Sequence, residues 1–289
     1  MAKKTSPIIK SVALPLGNPL DLSLRAKQVI LDADYVYCED TRKFRSLLQA
    51  LDMSLKPGVK IRTIPGSEEW SEDWSKLESD AEGKLVITVS DAGTPIINDP
   101  GLALTKYARE QGWSFEALPG PCAPVLAIQA TGGFGLPFSF YGFAPKDGAD
   151  SKAFKGFVSA VDQVNTFVFF DTRYQIVNTL EKLAASNLAD RSIHLTRELT
   201  KTYEEIFSGS VSEVLERVKA KLQKDDALGE LTIVLEGRPS DSLSQSTTLT
   251  IEELLEFRNA APRKAAKILS QAKGLSSQES YKLIVESRP

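Results

Sequence analysis

The sequence predicts an α/β protein: two α/β domains with a ligand cleft between them, followed by a small helical tail. Three observations lead there. Short apolar, β-branched runs alternate with stretches of helical periodicity along most of the chain. Several of those runs end directly in turns rich in Gly and Pro, the strand ends at which open α/β sheets place their ligands. And 289 residues, 42% hydrophobic and 25% charged, suffice for two domains of roughly 100 to 150 residues each.

In chain order, strands are expected at Ile8 to Leu14, Tyr35 to Cys38, Lys84 to Val89, Ser114 to Leu118 and Phe138 to Phe143, then at Thr166 to Phe170, Ser192 to Thr196, Tyr203 to Ser208 and Glu230 to Leu235. Each is a short run of apolar, β-branched or aromatic residues. Helices are expected between them, at Leu22 to Leu31, Arg42 to Leu51, Leu102 to Gln111, Ala123 to Ala130 and Tyr174 to Ala184. From Val211 to Leu222, the residues Val211, Val214, Leu215, Val218 and Leu222 share one face opposite Glu and Lys, the pattern of an amphipathic surface helix.

The polar stretch Phe143-Ala144-Pro145-Lys146-Asp147-Gly148 separates one α/β set from the next, so the domains are read as 1–144 and 145–238. A Ser/Thr/Asp-rich linker, Arg238 to Thr248, then leads to a helix-turn-helix-like tail over 239–289. Its short helices are Ile251 to Phe257, Pro262 to Ala272 and Gln278 to Glu286, with Gly274-Leu275-Ser276 as stop and cap between the last two. Arg263, Lys264, Lys267 and Lys273 make one edge of the tail basic.

Composition excludes some chemistries. Cys38 and Cys122 lie far apart and His194 is the single histidine, so neither zinc-ligand spacing nor a disulfide framework is present, and no metal is expected. His194 sits in an alternating apolar run, where core packing or a solvated position is expected rather than catalysis. The basic start, Met1 to Thr5, leads into Pro7 and not into an apolar stretch of the roughly 18 residues a membrane span needs, so a cytoplasmic protein is expected. A net charge of −3 argues against a general coat for nucleic acid; any RNA site must be focal.

Three strand-end loops carry the candidate chemistry. Leu14-Pro15-Leu16-Gly17-Asn18-Pro19 follows the first strand and opens a helix at Asp21 and Leu22. It lacks the glycines of a dinucleotide fingerprint and a Walker lysine. Ser90-Asp91-Ala92-Gly93-Thr94-Pro95, continued by Asn98-Asp99-Pro100-Gly101, follows a buried strand, and so many small residues and turn formers imply a backbone-lined pocket with one carboxylate. Leu118-Pro119-Gly120-Pro121-Cys122-Ala123-Pro124 again joins a strand to a helix whose N-terminal amides face the same crevice.

In this order and spacing the three loops resemble the tetrapyrrole-methylase family. Glu39-Asp40-Thr41-Arg42, Phe140-Tyr141-Gly142-Phe143, Arg197-Glu198-Leu199-Thr200-Lys201 and Val234-Leu235-Glu236-Gly237 resemble, within it, the branch that methylates a ribose 2′-hydroxyl of 16S ribosomal RNA. The resemblance spans residues 8 to 237. It implies S-adenosylmethionine bound between the two domains by Pro15, Gly17, Asp91, Ala92, Gly93, Thr94, Pro95, Cys122, Ala123, Phe170 and Leu199. It also implies a cytidine target within the small ribosomal subunit, a homodimer, and neither membrane nor DNA as partner. Two segments depart from that branch. Pro65 to Trp70 replaces a histidine-rich stretch, and Phe170-Asp171-Thr172-Arg173-Tyr174 replaces a Phe-Tyr-Glu-Ser segment followed by His-Arg.

Methyl transfer from a sulfonium is an in-line displacement in which positioning does most of the work, and a poorly nucleophilic hydroxyl needs a proton acceptor within reach. The candidates are Glu39, Asp40, Glu198 and Lys201, with Arg42 and Arg197 as phosphate clamps; Arg42, Arg45, Arg173, Arg197 and Lys201 are all expected near one crevice. For each of these a salt bridge or helix cap is an equally good explanation. Two other functions are compatible with the same loops: methylation of a small tetrapyrrole of the precorrin kind, and a catalytically weak ribosome-associated paralogue.

Overall fold

The computed structural model describes residues 6–64, 77, 80–98, 101–134, 137–149, 151–162, 165–223, 228–237, 260–273, 278, 280–282 and 285. The chain forms two units, 1–236 and 237–289.

In the first unit β1 (Ile8–Val12), β2 (Tyr35–Cys38), β3 (Lys60–Thr63), β4 (Leu85–Val89) and β5 (Ser114–Leu118) make an all-parallel sheet in the order β3-β2-β4-β1-β5. Parallel neighbours need crossovers, and α1 (Leu24–Asp32), α2 (Thr41–Ala50) and α3 (Leu102–Glu110) lie in them. β1 is buried on both sides: Val12 packs with Ile30, Phe44 and Val89, and Ile9 with Tyr35, Leu104 and Trp113. Two-sided burial demands a continuous apolar run, which is why this strand is visible in the sequence. β3 is an edge strand, exposed at three of its four residues, and sequence patterning passes over it. α1 starts two residues later than expected because Pro19–Asp21 forms a 3₁₀ turn, and Ser23 then caps the helix by accepting from Ala26 N at 3.1 Å.

The second sheet contains β6 (Phe138–Phe143), β7 (Thr166–Thr172), β8 (Ser192–Arg197), β9 (Glu205–Ser210) and β10 (Glu230–Leu235), ordered β6-β7-β10-β8-β9. β6 runs parallel to β7 and the other pairs are antiparallel. β9 begins two residues later than expected because Glu204 N turns back to Lys201 O. α4 (Ala123–Thr131) starts in the loop after β5 and packs Ala127 against Val168, Leu199 and Val234 on one face of this sheet. The other face is covered by α5 (Lys152–Val161), α6 (Ile176–Ala184) and α7 (Val211–Leu222), around Phe157, Phe169, Leu180, Val214 and Ile233. α5 is not foreseen from the sequence, although Phe154, Phe157 and Val161 form its buried stripe. α7 has the expected limits and opens with a capping box between Ser210 and Glu213. Because β6 belongs to the second sheet, the two sheets part between α4 and β6, upstream of the division read at residue 144.

In the second unit α8 (Pro262–Lys273) buries Ala265 and Ala266, with Ala260 against them, and exposes Arg263, Lys264 and Lys267. The linker over 238–248, the helix read at 251–257, the stop at 274–276 and the Lys273 side chain lie outside the described residues. The last helix is described only in part, at 278, 280–282 and 285. No helix among the described residues is long and apolar enough to cross a membrane.

Candidate active site

β4, β1 and β5 are neighbours in the sheet, so the three Gly-bearing loops at their carboxyl ends lie side by side. They are joined by their own backbone. Leu14 N donates to Gly93 O at 2.9 Å and Gly93 N returns the bond to Leu14 O at 3.0 Å. Thr94 Oγ1 donates to Pro121 O at 2.8 Å, and Ser90 Oγ donates to Ala92 O at 3.0 Å. Gly93 holds φ at +71°, and a Cβ there would stand 3.0 Å from Leu16 Cδ2. Ile96 and Asn98 hold positive φ without being glycine, so local strain is built into this loop. Asp99 and Pro100 of the same motif lie outside the described residues.

These loops form one wall of a cavity of about 720 Å³, through Leu16, Ala92, Gly93, Thr94, Cys122 and Ala123. The second sheet supplies Phe143, Phe170, Asp171 and Thr172 from the ends of β6 and β7, and Gly229 to Thr232 from the start of β10. Glu39, Lys43, Arg173 and Tyr174 add charged and aromatic groups.

The Glu39-to-Lys43 segment is fixed by Asp91. Its Oδ1 accepts from Asp40 N at 2.9 Å and its Oδ2 from Lys43 Nζ at 2.7 Å, while Asp91 N donates to Glu39 Oε2 at 3.3 Å. The Asp91 carboxylate raises the Lys43 pKa and keeps that ammonium charged. Asp40 is the N-cap of α2: it accepts from Arg42 N at 2.8 Å and grips the Arg42 guanidinium at 2.6 Å. That pairing holds the Asp40 carboxyl far below the usual carboxylate range. Behind them Cys38 is buried, and burial together with the Asp91 and Asp40 carboxylates pushes its thiol up to about 11.

Glu198 and Lys201 lie in the β8–β9 turn, outside the cavity lining. Glu198 Oε1 accepts from Glu230 N at 2.7 Å and from Lys201 Nζ at 3.2 Å, and Lys201 also reaches Glu230 Oε2 at 3.0 Å. Burial disfavours both charges, but these partners outweigh it, lowering the Glu198 pKa and raising that of Lys201. The turn clasps the first loop. Thr200 Oγ1 accepts from Asn18 N at 3.1 Å, and Gly17 lies so close that a Cβ would overlap the Lys201 side chain. Leu199 is buried beneath, with Val168 and Val234. Arg197 does not serve as the expected phosphate clamp. Its side chain is 6% exposed, pairs with Glu205 at 3.1 Å and donates to Leu228 O, because β8 carries it inward. His194 stacks on Phe134 at 4.6 Å and bonds Ser208 Oγ, and burial lowers its pKa.

Residues 9–215 match the sequence profile of the Tetrapyrrole (Corrin/Porphyrin) Methylases. The chain belongs to the tetrapyrrole methylase family. Like the family, it is a methyltransferase with S-adenosylmethionine as methyl donor. Relatives include "Ribosomal RNA small subunit methyltransferase I" of Escherichia coli O157:H7, 32% identical over 285 residues that cover 96% of this chain and 94% of the relative. The protein of that name from Streptococcus pyogenes serotype M1 is 33% identical over 283 residues, covering 96% and 95%. Among solved structures, a cobalt precorrin-4 methyltransferase aligns with a TM-score of 0.58 at 15% identity, covering 79% of this chain and 94% of that one. Diphthine synthase aligns at 0.56 and 15%, covering 88% and 96%. At such identity these two show the fold alone.

The cavity's chemistry suits the methyl donor of this family: carboxylates for a sulfonium and an ammonium, and exposed backbone along glycine loops. Of the residues expected to bind it, Asp91, Ala92, Gly93, Thr94, Cys122, Ala123 and Phe170 line the cavity, whereas Pro15, Gly17, Pro95 and Leu199 do not. Among the expected catalytic residues only Glu39 does; Asp40 bonds Asp91 of the lining, Glu198 and Lys201 bond Glu230 of the lining, and Arg42 pairs with Asp40. Sequence reasoning missed Lys43, Asp171, Tyr174 and Glu230. Asp171 had a signal, a lone carboxylate ending the aromatic run Phe167 to Phe170. It is 4% exposed, its Oδ2 lacks a partner in hydrogen-bonding geometry among the described residues, and burial raises its pKa.

Proposed function

We propose that the chain methylates a ribose 2′-hydroxyl of 16S ribosomal RNA, at a cytidine, within the small ribosomal subunit. The observation that carries this reading is the two-walled cavity, with a backbone-lined side from the first sheet facing aromatic and charged side chains from the second. The names of the full-length relatives support the acceptor. S-adenosylmethionine supplies an electrophilic methyl group when bound.

In this reading the Asp91-to-Thr94 and Cys122–Ala123 loops hold the donor, and the Asp91 carboxylate pairs with its positive charge. Glu39 is the proton acceptor for the ribose hydroxyl, since its carboxylate is the one of the four candidate groups on the cavity. Asp40 and Arg42 fix the start of α2, and the Glu198–Lys201 turn holds the Gly17 loop in place. Arg42, 88% exposed even while paired, and Lys43, 63% exposed, face the RNA backbone. The donor lies between the lobes read at 1–144 and 145–238, both of which contribute to the cavity lining, and the basic tail over 239–289 adds RNA affinity. The enzyme works as a homodimer in the cytoplasm.

The test is transfer of labelled methyl groups to small subunits from a strain lacking the enzyme, followed by nuclease mapping. Label on a single ribose 2′-oxygen of 16S RNA is the expected result. Label on a base, or only on a tetrapyrrole offered in its place, overturns the assignment.

A further inference from the structure

We propose that the Arg173–Tyr174 turn is a base-stacking platform, on which an unstacked base of the acceptor RNA lies against the Tyr174 ring. The proposal rests on the RNA reading above and adds how the strand is held: as a single-stranded or splayed-out segment, not as a duplex.

β7 ends at Thr172, and Gln175 N turns back to Thr172 O at 3.0 Å before α6 begins, so Arg173 and Tyr174 project from a tight turn. Both line the cavity, yet Tyr174 is 80% exposed. An isolated exposed ring has no meaning by itself. This one is held. The Arg173 guanidinium carbon sits 4.5 Å from the ring centroid, and a guanidinium nitrogen donates to the Tyr174 hydroxyl. One side of the ring is thus covered by a cation, and the large exposure leaves π-surface beside the cavity. A ring ordered in advance loses little rotamer freedom on binding.

The surroundings are of the same kind. Phe143, 47% exposed, lines the cavity with its ring 5.5 Å from that of Phe170, and the charged Lys43 ammonium lies on the same cavity. Aromatic faces and guanidinium planes with cations for phosphates are the means by which proteins hold unstacked RNA bases, whereas duplexes are read by shape and 2′-hydroxyls. The acceptor hydroxyl must also come within bonding distance of a methyl group inside a cavity, and a lone nucleotide fits there where a duplex does not.

Methyl transfer to small subunits is to be compared for wild type, Tyr174→Phe and Tyr174→Ala, with calorimetry of S-adenosylmethionine on each protein. For Tyr174→Ala the KM for subunits is expected to rise roughly 5- to 150-fold with kcat little changed. That is the fold-change matching ~1–3 kcal/mol per stacked base at ~1.4 kcal/mol per decade. Tyr174→Phe, which keeps the ring beneath the Arg173 guanidinium and loses only the hydroxyl bond, should raise the KM far less than Tyr174→Ala, and donor affinity should be equal in all three. An unchanged KM in Tyr174→Ala overturns the platform while leaving the methylation reading intact. So does a loss of donor affinity with unchanged KM, which assigns the ring to the donor. Absence of transfer to any RNA by the wild type overturns the methylation reading, and the platform with it.

Discussion

At Gly93 the backbone holds φ at +71°, and a Cβ would stand 3.0 Å from Leu16 Cδ2 and 3.6 Å from Pro121 O. Gly93→Val therefore meets neighbours in the loops that line the cavity, in a conformation that costs an L-residue about 1–2 kcal/mol. We expect at least a tenfold loss of S-adenosylmethionine affinity by calorimetry in a variant whose circular dichroism shows it folded; unchanged affinity would remove this loop from the donor site. Asp171 makes a prediction about pH. Its folded pKa is raised above the unfolded value of about 3.9, so the native state holds that proton more tightly. Its contribution is most favourable below about pH 3.9 and is lost as pH rises through the raised value. Asp171→Asn, neutral throughout, should melt higher than wild type near pH 7, with the gain shrinking toward pH 4; a gain that does not depend on pH refutes this. The glycine loops were legible in the sequence because turn chemistry is local. Lys43 was not, and Asp171 showed only as a carboxylate in a departing segment, since their roles depend on which strand ends the fold brings together.

At the scale of elements the same division holds. β2, β10 and α7 have the limits expected from the sequence, because two-sided burial or a full amphipathic face writes itself into the residue pattern; the edge strands β5 and β6 also have theirs, because each is bounded by Gly- and Pro-bearing turns. α7 adds a reciprocal cap, with Ser210 Oγ accepting from Glu213 N at 3.2 Å and Glu213 Oε2 accepting from Ser210 N at 2.8 Å. Ser210→Ala should lower stability by ~1 kcal/mol in urea titration and leave donor affinity unchanged; a loss under ~0.3 kcal/mol would mean that Glu213 alone suffices. β3 escaped notice because an exposed edge strand needs few apolar residues. α5 escaped because it carries Gly156 in its middle, although Ser151 caps it and its apolar spacing is helical.

Across the whole molecule, every residue lining the cavity falls within the unit that ends at Glu236. A chain truncated after Glu236 should bind S-adenosylmethionine as the full protein does. Its RNA binding should weaken, and the salt dependence flatten by up to about three counterions if Arg263, Lys264 and Lys267 each meet a phosphate. Calorimetry and binding titrations over a range of salt measure both; loss of donor binding in a folded truncation would tie the tail to the cavity. The two-sheet plan followed from the alternation of strand and helix, whereas the parting of the sheets before β6 did not, because a strand's sequence does not say which neighbour it will join. The bond from Asn18 N to Thr200 Oγ1 closes a loop of 182 residues. At roughly 5–20 residues per second of synthesis, Thr200 leaves the ribosome roughly 10–35 s after Asn18. During that interval the Gly17 loop of a nascent chain has no clasp, and the cavity lacks its wall at Gly229 to Thr232 until the last strand of the second sheet is made.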